Sequence, residues 1–436
     1  MRRAAAAALW CVLLAPAGCT AVASPDRPYA GQTVEVAGSW TGEEQAKFQR
    51  VLRAFGQRTG ARVRYTPGGS DLDVMLSAQV AAGSPPDVAM IPQAGVIARY
   101  VASGAAKPVT GTAERAVRAH FSPQWQQFGS VGGRLYGVYF KAANKSVIWY
   151  RADAFAAAGV RPPVTLDELS ATSQTLVDSG VAAMTVPGAD GWPLTDWFEN
   201  IYLQLAGAQR YDRLAAHELR WTDPTVVETL RVMGRYWSSP RFLLGGAAGA
   251  LQTTFTRSVA DVFGRRPGSA MLCEGDFVAT EIAKLGLYRV GDGARYFAWP
   301  SLNGAGGAGG PGSAVVAGGD AAVAFTDRPV TTALMAYFAS PEAAAIMVRD
   351  GGFLSVNLDL DPVVYPDATT RALAGTLLTA PTVRFDLSDL APSSFGGGNG
   401  ASMWRLLQEF LAAPDTDPAV VAARLEAAAA VAYGSP

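Results

Sequence analysis

The chain has very few of the residues on which several kinds of catalytic site depend. Its 436 residues include only two histidines, His120 and His217, and three cysteines. A histidine-rich zinc site is therefore close to excluded, and a Ser-His-Asp triad would have to use one of these two histidines. The formal net charge is −1, and no basic stripe or acidic tail is present, so nucleic acid is not expected as a partner. We predict neither a metal ion nor an organic cofactor.

Long apolar runs are also scarce, and the most informative one stands at the N-terminus. A basic start precedes an uncharged run over residues 4–17, which is too short to span a bilayer comfortably and is typical of a signal peptide. Residues 17–19, Ala-Gly-Cys, resemble the lipobox of bacterial lipoproteins, although Pro16 stands where an aliphatic residue is usual. An ordinary secretory signal cleaved nearby is the alternative.

These features predict a signal peptide over residues 1–18, lipidation of Cys19 and a polar tether over residues 19–32. The protein is then expected on the extracytoplasmic face of the cell membrane, held by its lipid. Cys273 would be left without a partner for an internal disulfide, so stability must come from the hydrophobic core.

The rest of the chain has a globular composition, 49% hydrophobic and 17% charged, and is long enough for two domains. Alternating and helical apolar patterns predict the order β-α-β-α-β between Thr33 and Ile91. This order implies a parallel sheet with helices on both faces, and ligands bind such sheets at the carboxyl ends of the strands. Paired strands over 134–139 and 146–150 lead into a second α/β unit. Thr41 with Glu44, and Thr165 with Glu168, have the spacing of a helix capping box.

The most unusual stretch is residues 186–197, Val-Pro-Gly-Ala-Asp-Gly-Trp-Pro-Leu-Thr-Asp-Trp. It places two indoles and two carboxylates in a loop that runs into a helix. Tryptophans in a loop are costly to leave in water unless a flat, amphipathic partner covers them. The stretch therefore suggests a ligand wall, with Trp192 facing the ligand and Trp197 opening a helix, where it fits the core equally well.

Several segments together resemble the sugar-binding family of bacterial ABC-transporter solute-binding proteins, the group that contains maltose-binding protein. The matching segments are Ser39-Trp40-Thr41-Gly42-Glu43, Ala82 to Val88, Leu135-Tyr136-Gly137-Val138, Trp149 to Asp153, Ser340-Pro341-Glu342-Ala343 and Gly351 to Asn357. Each is weak alone, but six occur in the right order over nearly all the mature chain. Residues 191–197, 325–329 and 385–390 look like the alpha-glucoside-binding branch.

The resemblance implies a periplasmic-binding-protein fold, with two α/β lobes joined by hinge crossings and a ligand cleft between them. The N-terminal lobe would comprise residues 33–141 with 315–357, and the C-terminal lobe residues 142–314 with 358–436. The implied function is that of a monomeric, non-enzymatic receptor that binds a small carbohydrate and delivers it to the permease subunits of an ABC importer.

A sugar presents a C–H face to aromatic rings and a rim of hydroxyls to polar groups. The residues that the fold pattern and the resemblance place at the cleft are Trp40, Thr41, Glu43, Asp71, Gln93, Asn144, Trp192, Asp196, Glu274, Asp276, Gly319, Asp320, Phe353 and Trp404. Among these, the resemblance implies that Trp404 matches a sugar-stacking aromatic, and that Asn144 replaces a sugar-contacting acid. Glu43 could instead complement a helix N-terminus. Trp149, Trp221 and Trp237 are expected in the core.

Two other functions remain open at this point. A secreted glycoside hydrolase needs two carboxylates facing one bond, for which Glu274 with Asp276, or Asp190 with Asp196, are candidates. A sugar-sensing subunit with a membrane receptor as its partner is the other alternative.

Overall fold

The protein has a two-lobed α/β fold, seen in a computed structural model that describes residues 27–302, 312–397 and 402–434. Cys19, the signal peptide and most of the tether lie outside the described residues. The strands are β1 Thr33–Gly38, β2 Arg62–Pro67, β3 Val88–Ile91, β4 Ser130–Val131, β5 Arg134–Leu135, β6 Gly137–Asn144, β7 Val147–Arg151, β8 Ala182–Thr185, β9 Ser269–Cys273, β10 Ala294–Ala298, β11 Ala314–Ala324 and β12 Thr382–Phe385.

The helices surround two principal sheets. They are α1 Gly42–Thr59, α2 Leu72–Ala81, α3 Ala94–Ala102, α4 Gly111–His120, α5 Pro123–Phe128, α6 Ala152–Ala158, α7 Leu166–Asp178, α8 Trp192–Ala215, α9 Pro224–Trp237, α10 Gly246–Ala250, α11 Phe255–Phe263, α12 Val278–Leu285, α13 Pro329–Phe338, α14 Pro341–Val348, α15 Ala368–Thr379, α16 Leu387–Leu390, α17 Ser393–Gly396, α18 Met403–Ala412 and α19 Pro418–Gly434. Within the described ranges, no helix has the length and apolarity needed to cross a bilayer.

The first sheet confirms the predicted β-α-β-α-β order. Its strand order is β12-β11-β3-β1-β2, and β1 pairs in parallel with both β2 and β3. The intervening helix α1 buries Phe48, Val51, Leu52 and Phe55 on one face, as its periodicity predicts. The carboxyl ends of β1, β2 and β3 therefore lie along one edge of this sheet.

The second sheet has the order β10-β7-β9-β8, with β8 parallel to β9 and β7 antiparallel to β9. The carboxyl ends of β8 and β9 and the amino end of β7 consequently share one edge. Trp149, Trp197, Trp221, Trp237 and Trp299 are all buried. The expectation of core positions for Trp149, Trp221 and Trp237 is confirmed.

The pairing predicted for the strands around residues 134–150 is wrong. β6 pairs with β11 in the first sheet, whereas β7 pairs with β9 and β10 in the second. The chain crosses between the sheets at Lys145 and Ser146, where the backbone N–H of Lys145 donates to Val316 O at 2.9 Å. What resembles a hairpin in sequence is thus the first crossing between the lobes.

One of the two predicted helix caps is also wrong. Thr41 precedes α1 with an extended backbone but makes no side-chain capping hydrogen bond, and Glu44 binds Lys141 instead. By contrast, Thr165 accepts the backbone N–H of Glu168, and Glu168 accepts the N–H of Val164. Sequence spacing alone predicted both caps. In the first, the carboxylate of Glu44 forms a long-range ion pair and does not cap the helix.

The chain after residue 357 divides between the two sheets. Leu373 and Leu377 of α15 pack in the first hydrophobic core and β12 joins the first sheet, whereas α18 and α19 pack in the second core. The division predicted from sequence assigned all of residues 358–436 to the C-terminal lobe. The exact lobe boundaries therefore stay a prediction, and residues 360–385 are the part that the packing sets apart.

Candidate functional site

Residues 186–191 form a sharp turn, and residues 192–197 are already helical, so the predicted start of this helix at Trp197 is five residues late. A short 3-10 turn, Gly188–Asp190, follows β8, and α8 begins at Trp192 with Pro193 in its first turn. Gly191 has φ 78°, and a Cβ there would lie 3.0 Å from Trp404 Cβ, so only glycine fits without displacement. The carboxylate of Asp190 accepts the N–H of Phe255 at 2.6 Å, which makes it part of the scaffold.

A buried ion-pair network follows directly from the shared edge of the second sheet. Lys145 precedes β7, Glu274 follows β9, and Asp196 lies in the first turns of α8 after β8. Lys145 Nζ lies 3.3 Å from Asp196 Oδ1, contacts Asp386 Oδ2, and stands 5.7 Å from the centroid of the Trp192 ring. We call Lys145, Asp196, Glu274 and Asp386 the Lys145 cluster.

Burial and charge act in opposite directions on the protonation of the Lys145 cluster. Burial alone would lower the pKa of Lys145, but Asp196 and Asp386 hold it well above its usual range. For Asp386, burial is outweighed by the Lys145 ammonium, and its pKa is lowered. Burial raises the pKa of Asp196 to about 7 in spite of Lys145. Lys145 and Asp386 are therefore the charged pair of this network at neutral pH.

Part of the polar surface of the Lys145 cluster has no bonding partner within the described residues. Both carboxyl oxygens of Glu274 and Oδ2 of Asp196 are fully buried there without a hydrogen bond. Glu274 and Asp196 are each 0% exposed. Because most buried polar groups in native proteins are paired, such atoms call for a functional explanation.

A second buried lysine lies four residues earlier in the chain. Lys141 Nζ lies 3.3 Å from Glu44 Oε1 and 3.8 Å from Asp320 Oδ2. The ammonium also stands 4.9 Å from the ring centroid of Phe353 and 5.9 Å from that of Trp40. We call these five residues the Lys141 cluster. Three of them, Trp40, Asp320 and Phe353, were predicted from sequence.

The pKa shifts in the Lys141 cluster are smaller. Burial raises the pKa of Asp320 to about 6, against the opposing effect of Lys141. Burial lowers the pKa of Lys141, but Glu44 and Asp320 more than compensate, and the net pKa is raised. Trp40 and Phe353 are 3% and 1% exposed and pack edge to face with centroids 5.5 Å apart.

Asn144 and Asp276 join the two clusters through the backbone. Asp276 Oδ1 accepts the N–H of Asn144 at 2.6 Å, and the N–H of Asp276 donates to Asn144 O at 3.0 Å. The side-chain oxygen of Asn144 accepts the N–H of Ser146 at 3.0 Å. Burial raises the pKa of Asp276 to about 7 despite its hydrogen bond to Asn144. These two side chains shape the crossing between the sheets.

The absence of a side chain at Gly319 allows another part of the backbone to approach closely. A Cβ at Gly319 would lie 2.4 Å from the carbonyl oxygen of Lys141. The glycine therefore lets β6 and β11 run side by side next to their register shift between Asp320 and Ala321. Trp404, by contrast, is half-buried on α18 beside Gly191 and so stands near the Trp192 turn.

Four of the predicted site residues make none of the contacts described above for the two clusters. Thr41, Glu43 and Asp71 are exposed, and Gln93 is half-buried at the start of α3 without a side-chain capping bond. Glu43 lines a groove of about 780 Å³ that is also lined by Lys47 and Thr280.

Sequence reasoning missed Lys145, Glu44, Glu199 and Asp386 as members of this region. Glu199 accepts hydrogen bonds from the N–H groups of Leu387 and Ser388 and from Tyr211 Oη, so it anchors the start of α16. One signal was available for the lysine. The chain has only five lysines, and two of them stand four residues apart in Lys141-Ala-Ala-Asn-Lys145.

Comparison with known proteins identifies the family to which the chain belongs. The profile of the bacterial extracellular solute-binding proteins matches residues 38–237. The osmoprotective compounds-binding protein GgtB of Synechocystis sp. is 31% identical over 388 residues, which cover 88% of this chain and 89% of the relative. The chain belongs to this family of extracellular solute-binding proteins.

A second relative agrees with that membership, and two solved structures share the fold. The alpha-glucosides-binding periplasmic protein AglE of Rhizobium meliloti is 29% identical over 392 residues, covering 87% of this chain and 84% of the relative. The bacterial solute receptor AcbH superposes with a TM-score of 0.78 at 17% identity, covering 92% of this chain and 99% of that one. The GacH receptor of Streptomyces glaucescens superposes with a TM-score of 0.71 at 15% identity, covering 93% and 99%.

These findings confirm the resemblance to sugar-receptor proteins of ABC importers and the two-lobed fold. The names of both relatives describe binding proteins. The substrate of this chain is a separate question.

Proposed function

We propose that this protein is a lipid-anchored receptor of an ABC importer that binds a small carbohydrate between its lobes. The ligand class we propose is an alpha-glucoside or another small oligosaccharide, delivered to the permease in the membrane. The single observation that carries this is the pair of lysine–carboxylate clusters beside Trp40 and Trp192 at the crossing between the sheets.

The chemistry of the two clusters suits a polyhydroxylated ligand. Aromatic rings pack on C–H faces, and carboxyl groups with lysine ammonium groups form strong hydrogen bonds to hydroxyls. Asp196, Glu274, Trp192 and Trp404 would form the wall on the second lobe. Asp320, with Trp40, Phe353 and Glu44, would belong to the wall on the first. The names of GgtB and AglE, which refer to osmoprotective compounds and alpha-glucosides, support this ligand class.

The hydrolase alternative is less favoured by this geometry. One carboxyl oxygen of Asp190 accepts the N–H of Phe255, and one of Asp276 accepts that of Asn144, so one acid of each candidate pair helps to hold the fold. A retaining or inverting hydrolase needs two carboxyl groups placed on either side of one bond. The arrangement instead favours binding, with closure of the lobes driven by the contacts that the ligand gains only in the closed form.

The experiment for the ligand class is a thermal-shift screen of the mature protein with maltose, trehalose and sucrose, followed by titration calorimetry. A ligand that binds only the folded state raises the melting temperature, by an amount that grows with concentration. Free glucose released from maltose in a purified sample would contradict the receptor function. Binding without turnover is the expected result.

The lipid anchor is proposed from residues 17–19 alone, which lie outside the described residues. The expected result is that Cys19→Ala moves the protein from the membrane fraction to the soluble extracytoplasmic fraction. Cys273→Ala is the matched control, because Cys273 is buried in the second core and should leave fractionation unchanged. A membrane-bound Cys19→Ala protein would contradict the anchor.

A further inference from the structure

Glu274 is unusual among the buried acids because neither of its carboxyl oxygens is used by the fold. It follows β9 directly and is 0% exposed. In the part of the chain that the structure describes, Oε1 and Oε2 have no hydrogen-bond donor or acceptor within reach. Burying a polar group without a partner destabilises the folded state, so a side chain kept in this condition is expected to serve a ligand.

Glu199 provides the contrast within the same region. It is also 0% exposed, but its two oxygens accept three hydrogen bonds, from Leu387 N, Ser388 N and Tyr211 Oη. A buried glutamate that supports the fold therefore looks different from Glu274. The difference lies in hydrogen bonding and not in burial or residue type.

The surroundings of Glu274 supply the rest of a binding surface. Burial has the largest effect in raising the pKa of Glu274, and the nearby carboxyl group of Asp196 raises it further. The Oδ2 atom of Asp196 is also without a hydrogen-bond partner among the described residues. Lys145 holds the other oxygen of Asp196 at 3.3 Å. Trp192, whose ring stands 5.8 Å from that of Phe277, adds an aromatic face next to these carboxyl groups.

We propose that Glu274 and the free oxygen of Asp196 form a two-carboxyl subsite that takes neighbouring hydroxyl groups of an uncharged ligand. This inference rests on the proposed carbohydrate-binding function and specifies its polar end. Three unused oxygens match a vicinal diol, because each hydroxyl can both donate and accept one hydrogen bond.

The charges around the subsite favour an uncharged ligand. Lys145 is the cation that faces Glu274, whereas Asp190 and Asp196 are the acids that face it. Burial, followed by the nearby Asp196, raises the pKa of Glu274 well above its ordinary value. A protonated carboxyl group donates one hydrogen bond and accepts others, which suits a hydroxyl better than it suits an ammonium or a carboxylate.

The test uses Glu274→Met, Glu274→Gln and, as the matched control, Glu199→Gln in the mature protein, with trehalose as the probe. Methionine removes an unpaired polar group, so the melting temperature is expected to rise by about 2–6 °C while trehalose affinity falls at least ~10-fold. Glutamine keeps a donor and an acceptor, so its affinity should stay within about threefold of wild type. Across a pH series, the fall in affinity at alkaline pH should be smaller for Glu274→Gln than for wild type, because only Asp196 of the two subsite carboxyl groups still titrates.

The control should show the opposite behaviour. Glu199→Gln places an amide N–H against the backbone donors of α16, so it should lower the melting temperature and leave trehalose affinity unchanged. The subsite is overturned if Glu274→Met melts below wild type, or if it binds trehalose as tightly as wild type does. An aminated trehalose that binds more tightly than trehalose would also overturn it, since the ligand would then be a cation.

Failure of the carbohydrate function gives a different pattern. In that case wild type would bind none of trehalose, maltose and sucrose, although Glu274→Met would still raise the melting temperature. If wild type binds trehalose and the Glu274 variants bind it equally well, the receptor function stands and only the subsite is lost.

Discussion

Lys141 and Lys145 lie four residues apart on the crossing segment, but they face opposite lobes and contact different side chains. Lys141 pairs with Glu44 and Asp320, and its ammonium is covered by the rings of Trp40 and Phe353. Lys145 pairs with two carboxylates that are each 0% exposed, Asp196 and Asp386. In the first cluster one partner, Glu44, is 35% exposed.

The two clusters differ in how many of their buried carboxyl oxygens lack a hydrogen-bond partner. In the Lys145 cluster three carboxyl oxygens lack a partner among the described residues, on Glu274 and Asp196. In the Lys141 cluster, the charged side chains are less completely buried, and aromatic rings cover the lysine ammonium group. We infer that the Lys145 side supplies most of the polar recognition, whereas the Lys141 side supplies apolar cover and holds the crossing strands together.

The largest effect should come from Lys145→Met. It leaves Asp386 and Asp196 buried without their cation, which is expected to reduce the free energy of unfolding by ~3–5 kcal/mol. Urea denaturation at neutral pH measures the loss. Lys284→Met is the matched control, because Lys284 is 43% exposed and pairs only with Glu281 on the same helix, so it should cost under ~0.5 kcal/mol.

Lys141→Met should destabilise the protein less, by ~1–3 kcal/mol, because Glu44 can turn to water when its partner is removed. The same denaturation series measures it. An equal or larger loss than that of Lys145→Met would break the distinction between the two clusters.

Trp404→Ala should act on binding more than on stability. The side chain is half-buried beside Gly191, and loss of its ring is expected to weaken trehalose binding by about 3–10-fold. Titration calorimetry measures the change, and Trp404→Phe is the control because it keeps a stacking ring. Unchanged affinity in Trp404→Ala would remove this residue from the cleft wall.

The smallest expected effect is a difference between the two clusters in how the stability of the folded state depends on pH. The folded-state pKa is raised from 3.8 to about 6 for Asp320 and to about 7 for Asp196. The unfolded chain therefore releases these protons first, and stability falls as pH rises from about 4 towards each folded-state pKa. The melting temperature of Asp320→Asn relative to wild type should rise over this range and level off near pH 6. That of Asp196→Asn should continue to rise until about pH 7. Identical curves would contradict the assignment.

Local elements were largely predictable from the sequence, because they depend on neighbours in the chain. The amphipathic face of α1, the cap at Thr165 and the buried Trp149, Trp221 and Trp237 follow from spacing and composition. The parallel order of the first three strands follows from their short crossover connections.

Long-range partners could not be predicted in the same way. Lys145 meets Asp196 and Asp386 across 51 and 241 residues, and no local pattern marks either pairing. Glu44 fits a capping box by spacing, yet it pairs with Lys141 from 97 residues away. The strands on either side of Lys145 resemble a hairpin because the sequence does not show that the chain changes sheets there.

Titration calorimetry of the mature protein with maltose, trehalose and sucrose is the most direct test of the receptor function. We expect saturable one-to-one binding of at least one of these sugars without release of glucose. We also expect that Asp196→Ala weakens that binding while the protein stays folded. Absence of binding to all three sugars, or unchanged affinity in a folded Asp196→Ala protein, would contradict it.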